Sequence, residues 1–238
     1  RLMKVSIVVF PGSNCDRDIA VSLKKFSNKD PFMVWHKETS LPDSDLIVLP
    51  GGFSYGDYLR CGSMAANSPI MKEVKKSSEK GSAILGICNG FQILTESGLL
   101  PGTLIRNQGL SFLCKNTPLK VQNNNSIFTK NYKKNDIINI PIAHNEGNYF
   151  ASETVIEEIE DKNLIAFRYC DHNGDIDLKT NPNGSRNNIA GIINENGNVL
   201  GMMPHPERAT DKSAGLTDGE NFFTSIVESL TWQKLPKS

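Results

Sequence analysis

The pentapeptide Gly86-Ile87-Cys88-Asn89-Gly90 sets one thiol between two glycines, where the apolar run Ala83–Ile87 gives way to the helix-forming segment Phe91–Leu94. A cysteine so placed reads as the thiol analogue of a nucleophile elbow, a sharp strand-to-helix turn with no room for bulk on its flanks. The positive end of the following helix favours a thiolate, and backbone N–H groups there could hold an oxyanion. The same five residues also read as a small buried hydrophobe at a strand end, the common fate of a free cysteine.

A thiol nucleophile wants a base, and the chain has four histidines. His36 closes an apolar run among charges, and His172 sits in the polar turn Asp171–Gly174. His144 lies in Ile142–Gly147, a loop that either lines a site or only stabilises itself. His205 is different, because it stands in Met203-Pro204-His205-Pro206-Glu207-Arg208. A residue before proline is pushed to extended geometry, and in an extended segment His205 and Glu207 point the same way. A carboxylate beside an imidazole fixes its tautomer and stabilises the imidazolium. Alone, this is a surface His–Glu pair; with Cys88 it becomes a Cys-His-Glu set suited to acyl transfer. A third constellation is the loop Leu49–Tyr58, whose paired Gly51 and Gly52 would let a backbone N–H approach a substrate oxygen. It reads otherwise as a glycine-rich turn.

These residues need elements to position them. Val5–Phe10, Phe32–Trp35, Asp45–Leu49 and Ser82–Ile87 read as strands, and Asp16–Phe26, Pro69–Ser78 and Gly90–Ser97 as helices. Continuous apolar strands alternating with helices predict an α/β fold, a three-layer sandwich with a mainly parallel central sheet covered on both faces. In such a sheet the loops after the strands gather along one edge, where ligands bind. After Gly98 the runs shorten, and Thr103–Ile142 suits a small antiparallel extension. Leu164–Tyr169, Ile189–Ile193 and Val199–Met202 read as later strands, Glu153–Asp161 as an exposed acidic segment, and Asn221–Leu230 as a closing helix.

The chain has 238 residues, which suits one domain spanning 1–238. Lys+Arg and Asp+Glu balance at 26 each, so nothing favours nucleic acid or an anionic membrane as a partner. No apolar run approaches the ~18 residues of a membrane span. Met3 reads as a natural start, and no signal-peptide pattern precedes the first strand. Five cysteines with no C-x-x-C pair argue against a disulfide framework or a cysteine zinc site, and point to the reducing cytoplasm. The chain has no G-x-x-x-x-G-K-[ST] phosphate loop.

At these residues the sequence closely resembles the class I (triad) glutamine amidotransferases, and within them the glutaminase subunits of de novo purine synthesis. The resemblance runs nearly end to end. It includes Phe10–Asp16, the Pro50–Arg60 loop, Gly86–Gln92, Pro141–His144, Asn181–Ser185 and Pro204–Arg208. One departure is Asn145, where relatives often have glycine. The resemblance implies a flavodoxin-like sandwich and a mechanism. Cys88 attacks the side-chain amide of L-glutamine, His205 moves the proton, and Glu207 orients His205. Gly52 and Asn89 supply the oxyanion hole, and Gly51, Phe53, Gln92 and His144 bind substrate. It implies no cofactor in this chain and no metal. ATP and Mg²⁺ belong instead to a large synthetase subunit that receives the ammonia, joined by a small accessory subunit. Rival readings are a peptidase or γ-glutamyl hydrolase on the same fold, and a non-catalytic scaffold that keeps it. The Glu207 position and the Gly51–Tyr58 loop weigh against the first, and the intact Cys88, His205 and Glu207 against the second.

Overall fold

The computed structural model of the protein describes residues 2–52 and 61–232. Phe53 and most of the glycine-rich loop that follows β3 lie outside the described residues. The strands are β1 (Val5–Val9), β2 (Phe32–Trp35), β3 (Leu46–Leu49), β4 (Ala83–Ile87), β5 (Thr103–Ile105), β6 (Leu113–Val121), β7 (Ile137–His144), β8 (Asn148–Phe150), β9 (Ile165–Tyr169), β10 (Ile189–Ile193) and β11 (Val199–Met202). The helices are α1 (Asp16–Ser27), α2 (Cys61–Ala66), α3 (Ile70–Glu79), α4 (Asn89–Glu96), α5 (Glu153–Asp161) and α6 (Glu220–Trp232).

Among the described residues the main sheet has nine strands in the order β2-β1-β3-β4-β11-β10-β9-β6-β7. The pairs β2–β1, β1–β3, β3–β4 and β4–β11 are parallel. Beyond β11 each pairing is antiparallel, so β10 and β6 run against the rest while β9 and β7 rejoin the common direction. The expected antiparallel extension is thus mostly a continuation of the same sheet, and β5 with β8 forms a separate two-stranded ribbon. Both β3 and β4 are buried at every position, which requires cover on both faces and explains their unbroken apolar runs. By contrast β7 alternates half-buried and buried residues, as a strand with one wetter face does.

Helix α4 is buried from Asn89 to Thr95 and packs against β3, β4 and β11. Helix α1 packs on α6, where Phe26 stacks on Phe223 with ring centroids 5.3 Å apart. The exposed acidic segment Glu153–Asp161 is a helix. Ser152 Oγ caps it by accepting from Val155 N, and Ile156 and Ile159, three apart, bury one face while the acids line the other. No helix among the described residues is long and apolar enough to cross a membrane.

The topology gathers the chemistry. Strands β1, β3, β4, β11 and β7 share one direction, so their C-terminal ends meet at one edge of the sheet. Asn14 and Cys15 follow β1, Gly51 and Gly52 follow β3, Cys88 follows β4, His205 follows β11, and His144 ends β7.

Candidate active site

The Cys88 backbone has φ 54° and ψ −109°, a conformation that L-residues rarely adopt. Its N–H donates to Met202 O at 2.7 Å, and its carbonyl accepts from Phe91 N at 2.9 Å and Gln92 N at 3.3 Å. The bend is therefore clamped between β11 and the first turn of α4. The glycines on either side are required by close approach. A Cβ on Gly90 would lie 1.9 Å from Leu49 O, and one on Gly86 would lie 2.5 Å from Leu94 Cδ1 and 2.6 Å from Gly90 O. The G-x-C-x-G spacing is thus the packing condition for β3, β4 and α4 to meet beneath the bend. Cys88 is 7% exposed, and its thiol donates to Ala143 O at 3.6 Å.

His205 is 1% exposed, its Nδ1 lies 2.6 Å from Glu207 Oε1, and Glu207 is also buried. The pairing does not come from strand alternation, as the sequence suggested. Pro206–Arg208 is a 3₁₀ turn that brings Glu207 back under the ring of His205. The His205 N–H donates to Pro141 O at 2.8 Å, which ties this turn to β7. Burial opposes charge on the ring, but the Glu207 carboxylate and Cys88 outweigh it, and the imidazole pKa is raised. With Nδ1 committed to Glu207, Nε2 is the nitrogen left for Cys88. Among the described residues Nε2 has no hydrogen-bond partner in this resting geometry, where the thiol donates to Ala143 O; such contacts commonly tighten only with substrate. Gly51 sits against both groups. A Cβ there would lie 2.8 Å from His205 Cε1 and 3.2 Å from Cys88 Cβ, so glycine leaves the thiol and the ring their space.

A cavity of about 190 Å³ opens on Cys88 and His205, and Gly52, Asn89, Gln92 and His144 also line it. Gly52 has φ +117°, and the carbonyl of Gly51 accepts from Ser13 Oγ at 3.1 Å. A trans peptide sets C=O and N–H on opposite sides, so this bond fixes where the Gly52 N–H points. The Gln92 amide is engaged with the protein at both ends: Oε1 accepts from Asn89 Nδ2 at 2.7 Å, and Nε2 donates to Glu146 O at 2.9 Å. It thereby holds the start of α4 against the loop after β7. His144 is buried with Nδ1 3.1 Å from Asn107 Oδ1. Asn145 takes no positive φ here, so the loop does not require glycine at that position.

Asn14, Cys15 and Arg208 also line the cavity; they lie in the motif segments Phe10–Asp16 and Pro204–Arg208, but the sequence assigns them no role at the site. Arg208 Nη2 lies 3.0 Å from Cys15 Sγ, yet burial dominates and pushes the Cys15 thiol up to about 11. Asn107 lies behind the wall and bonds to His144, at a sequence separation of 37 that no local motif reveals. His36 and His172 stand apart from the cavity. His36 is buried with Nδ1 3.0 Å from Ser68 Oγ, and His172 is exposed. Among the described residues no group of three or more His, Cys, Asp or Glu is placed to hold a metal ion.

The arrangement is a thiol on a bent strand–helix junction, a buried imidazole–carboxylate pair beside it, and a cavity that Cys88 and His205 both line. This suits attack on a carbonyl carbon with proton transfer to a leaving group. Comparison with known proteins agrees. The model of the CobB/CobQ-like glutamine amidotransferase domain matches residues 2–221. The chain is 54% identical over 227 residues to the phosphoribosylformylglycinamidine synthase subunit PurQ of Zymomonas mobilis, covering 95% of this chain and 99% of that one. It is 56% identical over 228 residues to the PurQ subunit of Pelagibacter ubique, covering 96% and 100%. The solved structure of PurLQS from Thermotoga maritima contains a chain that superposes with a TM-score of 0.84 at 43% identity, over 97% of this chain and 100% of that one. The chain belongs to the CobB/CobQ-like glutamine amidotransferase family.

Proposed function

We propose that this chain is the glutaminase subunit of a phosphoribosylformylglycinamidine synthase, one glutamine amidotransferase domain over residues 1–238 working in the cytoplasm. The observation that carries the mechanism is the Cys88 thiol on its strained elbow, beside the buried His205–Glu207 pair. His205 takes the thiol proton, and Cys88 Sγ attacks the side-chain amide carbon of L-glutamine. The Gly52 and Asn89 N–H groups hold the oxyanion, and His205 protonates the departing nitrogen. Ammonia leaves, and water then cleaves the thioester to glutamate by the same proton relay in reverse roles. Glu207 keeps the proton of the resting imidazole on Nδ1 and steadies the imidazolium. Gly51, Phe53, Gln92 and His144 shape the substrate's seat.

Ammonia released at neutral pH is mostly ammonium, a poor nucleophile, so it has to be passed on protected. A large synthetase subunit with bound ATP and Mg²⁺ uses it to convert formylglycinamide ribonucleotide to formylglycinamidine ribonucleotide, and a small accessory subunit completes the complex. Near-full-length identity to PurQ subunits and the similarity to a chain of PurLQS support this reading. The deciding experiment measures glutamate release by this chain alone, with the synthetase, and with the synthetase plus ATP and ribonucleotide. Glutamine-dependent amidination of the ribonucleotide is the expected result. A complex that uses only added ammonium salt would refute the reading.

A further inference from the structure

We infer that His144 is a catalytic hydrogen-bond acceptor: its Nε2 lone pair receives an N–H of the scissile carboxamide and holds the ammonia which that nitrogen becomes. This inference rests on the glutaminase reading above and gives its second histidine a task.

The tautomer of His144 is settled by its neighbour. Asn107 Nδ2 donates to His144 O at 2.8 Å and Ser111 O at 2.9 Å. Both partners are carbonyl oxygens, so the nitrogen of the Asn107 amide faces them and Oδ1 faces the other way. Asn107 Oδ1 accepts from Gly147 N at 3.0 Å and lies 3.1 Å from His144 Nδ1. Only an N–H at Nδ1 fits that oxygen, and in a neutral imidazole Nε2 is then a bare acceptor. His144 is 4% exposed and lines the cavity, and Nε2 is buried without a hydrogen-bond partner among the described residues. A buried acceptor without a donor costs free energy unless a ligand supplies one. Burial, and the charge that His205 carries once it holds the thiol proton, push His144 down to about 4, so the ring stays neutral. The ring's place is reserved, since a Cβ on Gly147 would lie 2.3–2.6 Å from its Cε1, Nδ1 and Nε2 atoms.

The chemistry of the step says what donor comes. As the Sγ–C bond forms and the C–N bond breaks, the thiol proton passes through His205 to the carboxamide nitrogen, which departs as ammonia. His205 is the donor in that transfer and cannot also accept from the same nitrogen. The nitrogen's own hydrogens need an acceptor, and His144 lines the same cavity as Cys88 and His205. Because its one N–H is bound to Asn107, His144 can receive ammonia without converting it to ammonium.

The test compares L-glutamine with L-glutamate γ-methyl ester, whose leaving group brings no N–H, using the complete complex with the synthetase. His144→Phe preserves ring volume against Gly147, and His144→Gln preserves an acceptor. The kcat/KM for glutamine should fall about tenfold relative to that for the ester in His144→Phe, the scale of one lost hydrogen bond. His144→Gln should recover part of the ratio. Asn107, a positioning residue, should shift the ratio in the same direction when changed to Ala. A contact to the substrate's α-amino group, or a purely structural role, would lower both substrates equally. An unchanged amide-to-ester ratio in folded His144→Phe therefore overturns the inference, with labelling of Cys88 by a glutamine-analogue alkylator reporting the fold. A wild-type complex that turned over the ester but not glutamine would instead sink the glutaminase reading itself.

Discussion

The backbone at Cys88 holds a conformation that typically costs about 1–3 kcal/mol for a non-glycine residue, and the fold around it supplies the clamps that maintain it. If Cys88 is the nucleophile, Cys88→Ala abolishes glutamine-dependent synthesis while synthesis from ammonium salt survives in the complex; full glutamine-dependent activity in that variant would remove it from the mechanism. His205 and Glu207 differ in rank. Losing the base removes proton transfer, a contribution of ~10²–10⁴-fold, whereas Glu207→Gln leaves a side chain that can still bond to the ring. His205→Ala should therefore cost more in kcat than Glu207→Gln, and the reverse order would assign the base elsewhere. Cys15 sits at the same cavity but is held as a neutral thiol by burial, despite Arg208 beside it. At pH 8 a simple alkylator should modify Cys15 slowly, as followed by peptide mass mapping. Rapid modification would show that Arg208 keeps a thiolate there.

At the scale of elements, the site depends on how closely β3, β4 and α4 approach. A methyl on Gly90 meets the Leu49 carbonyl at 1.9 Å, and backbone cannot move aside as a flexible side chain can. Gly90→Ala should lower the melting temperature by many degrees and end Cys88 labelling; a variant with wild-type melting would show that α4 can shift freely. The loop after β3 is the natural place for control by a partner, since its glycines allow a peptide to rotate. Gly51→Ala and Gly52→Ala are poor tests of such a gate, because the first would press on His205 and Cys88 and the second on Asn14. Ser13→Ala is cleaner. It releases the Gly51 carbonyl without adding an atom, and loss of one oxyanion donor typically costs ~10²–10³ in kcat. The expected outcome is a lower kcat with unchanged melting, and an unaltered kcat would show that Ser13 does not hold the donor.

For the whole molecule, five strand ends from distant parts of the chain converge on one edge, so the site forms only when the sheet is complete. The chain carries no phosphate-loop motif to couple glutamine cleavage to ATP, and an uncoupled glutaminase would waste substrate. Glutamate release by the isolated chain should therefore be slow and should rise with the synthetase, and rise further with ATP and ribonucleotide. Three equal rates in that assay would show that no coupling acts on this site.

The strand–helix alternation through Glu96 and the G-x-C-x-G and His-x-Glu spacings were legible in the sequence, because periodicity and close approach write themselves into neighbouring residues. Tertiary structure decided what long-range contact controls. It turned the extension into more of the same sheet, through pairings that link β9 to β6 across the chain. It made a helix of Glu153–Asp161, where two buried isoleucines outweigh the acidic composition. It paired His205 with Glu207 through a 3₁₀ turn rather than strand alternation. It also brought Asn107 to the site from a position with no local pattern to mark it, and set Cys15 and Arg208, from two motif segments far apart in the chain, side by side at the cavity. A hydrogen bond across 37 residues leaves no trace in spacing, because only the folded sheet sets the distance between its ends.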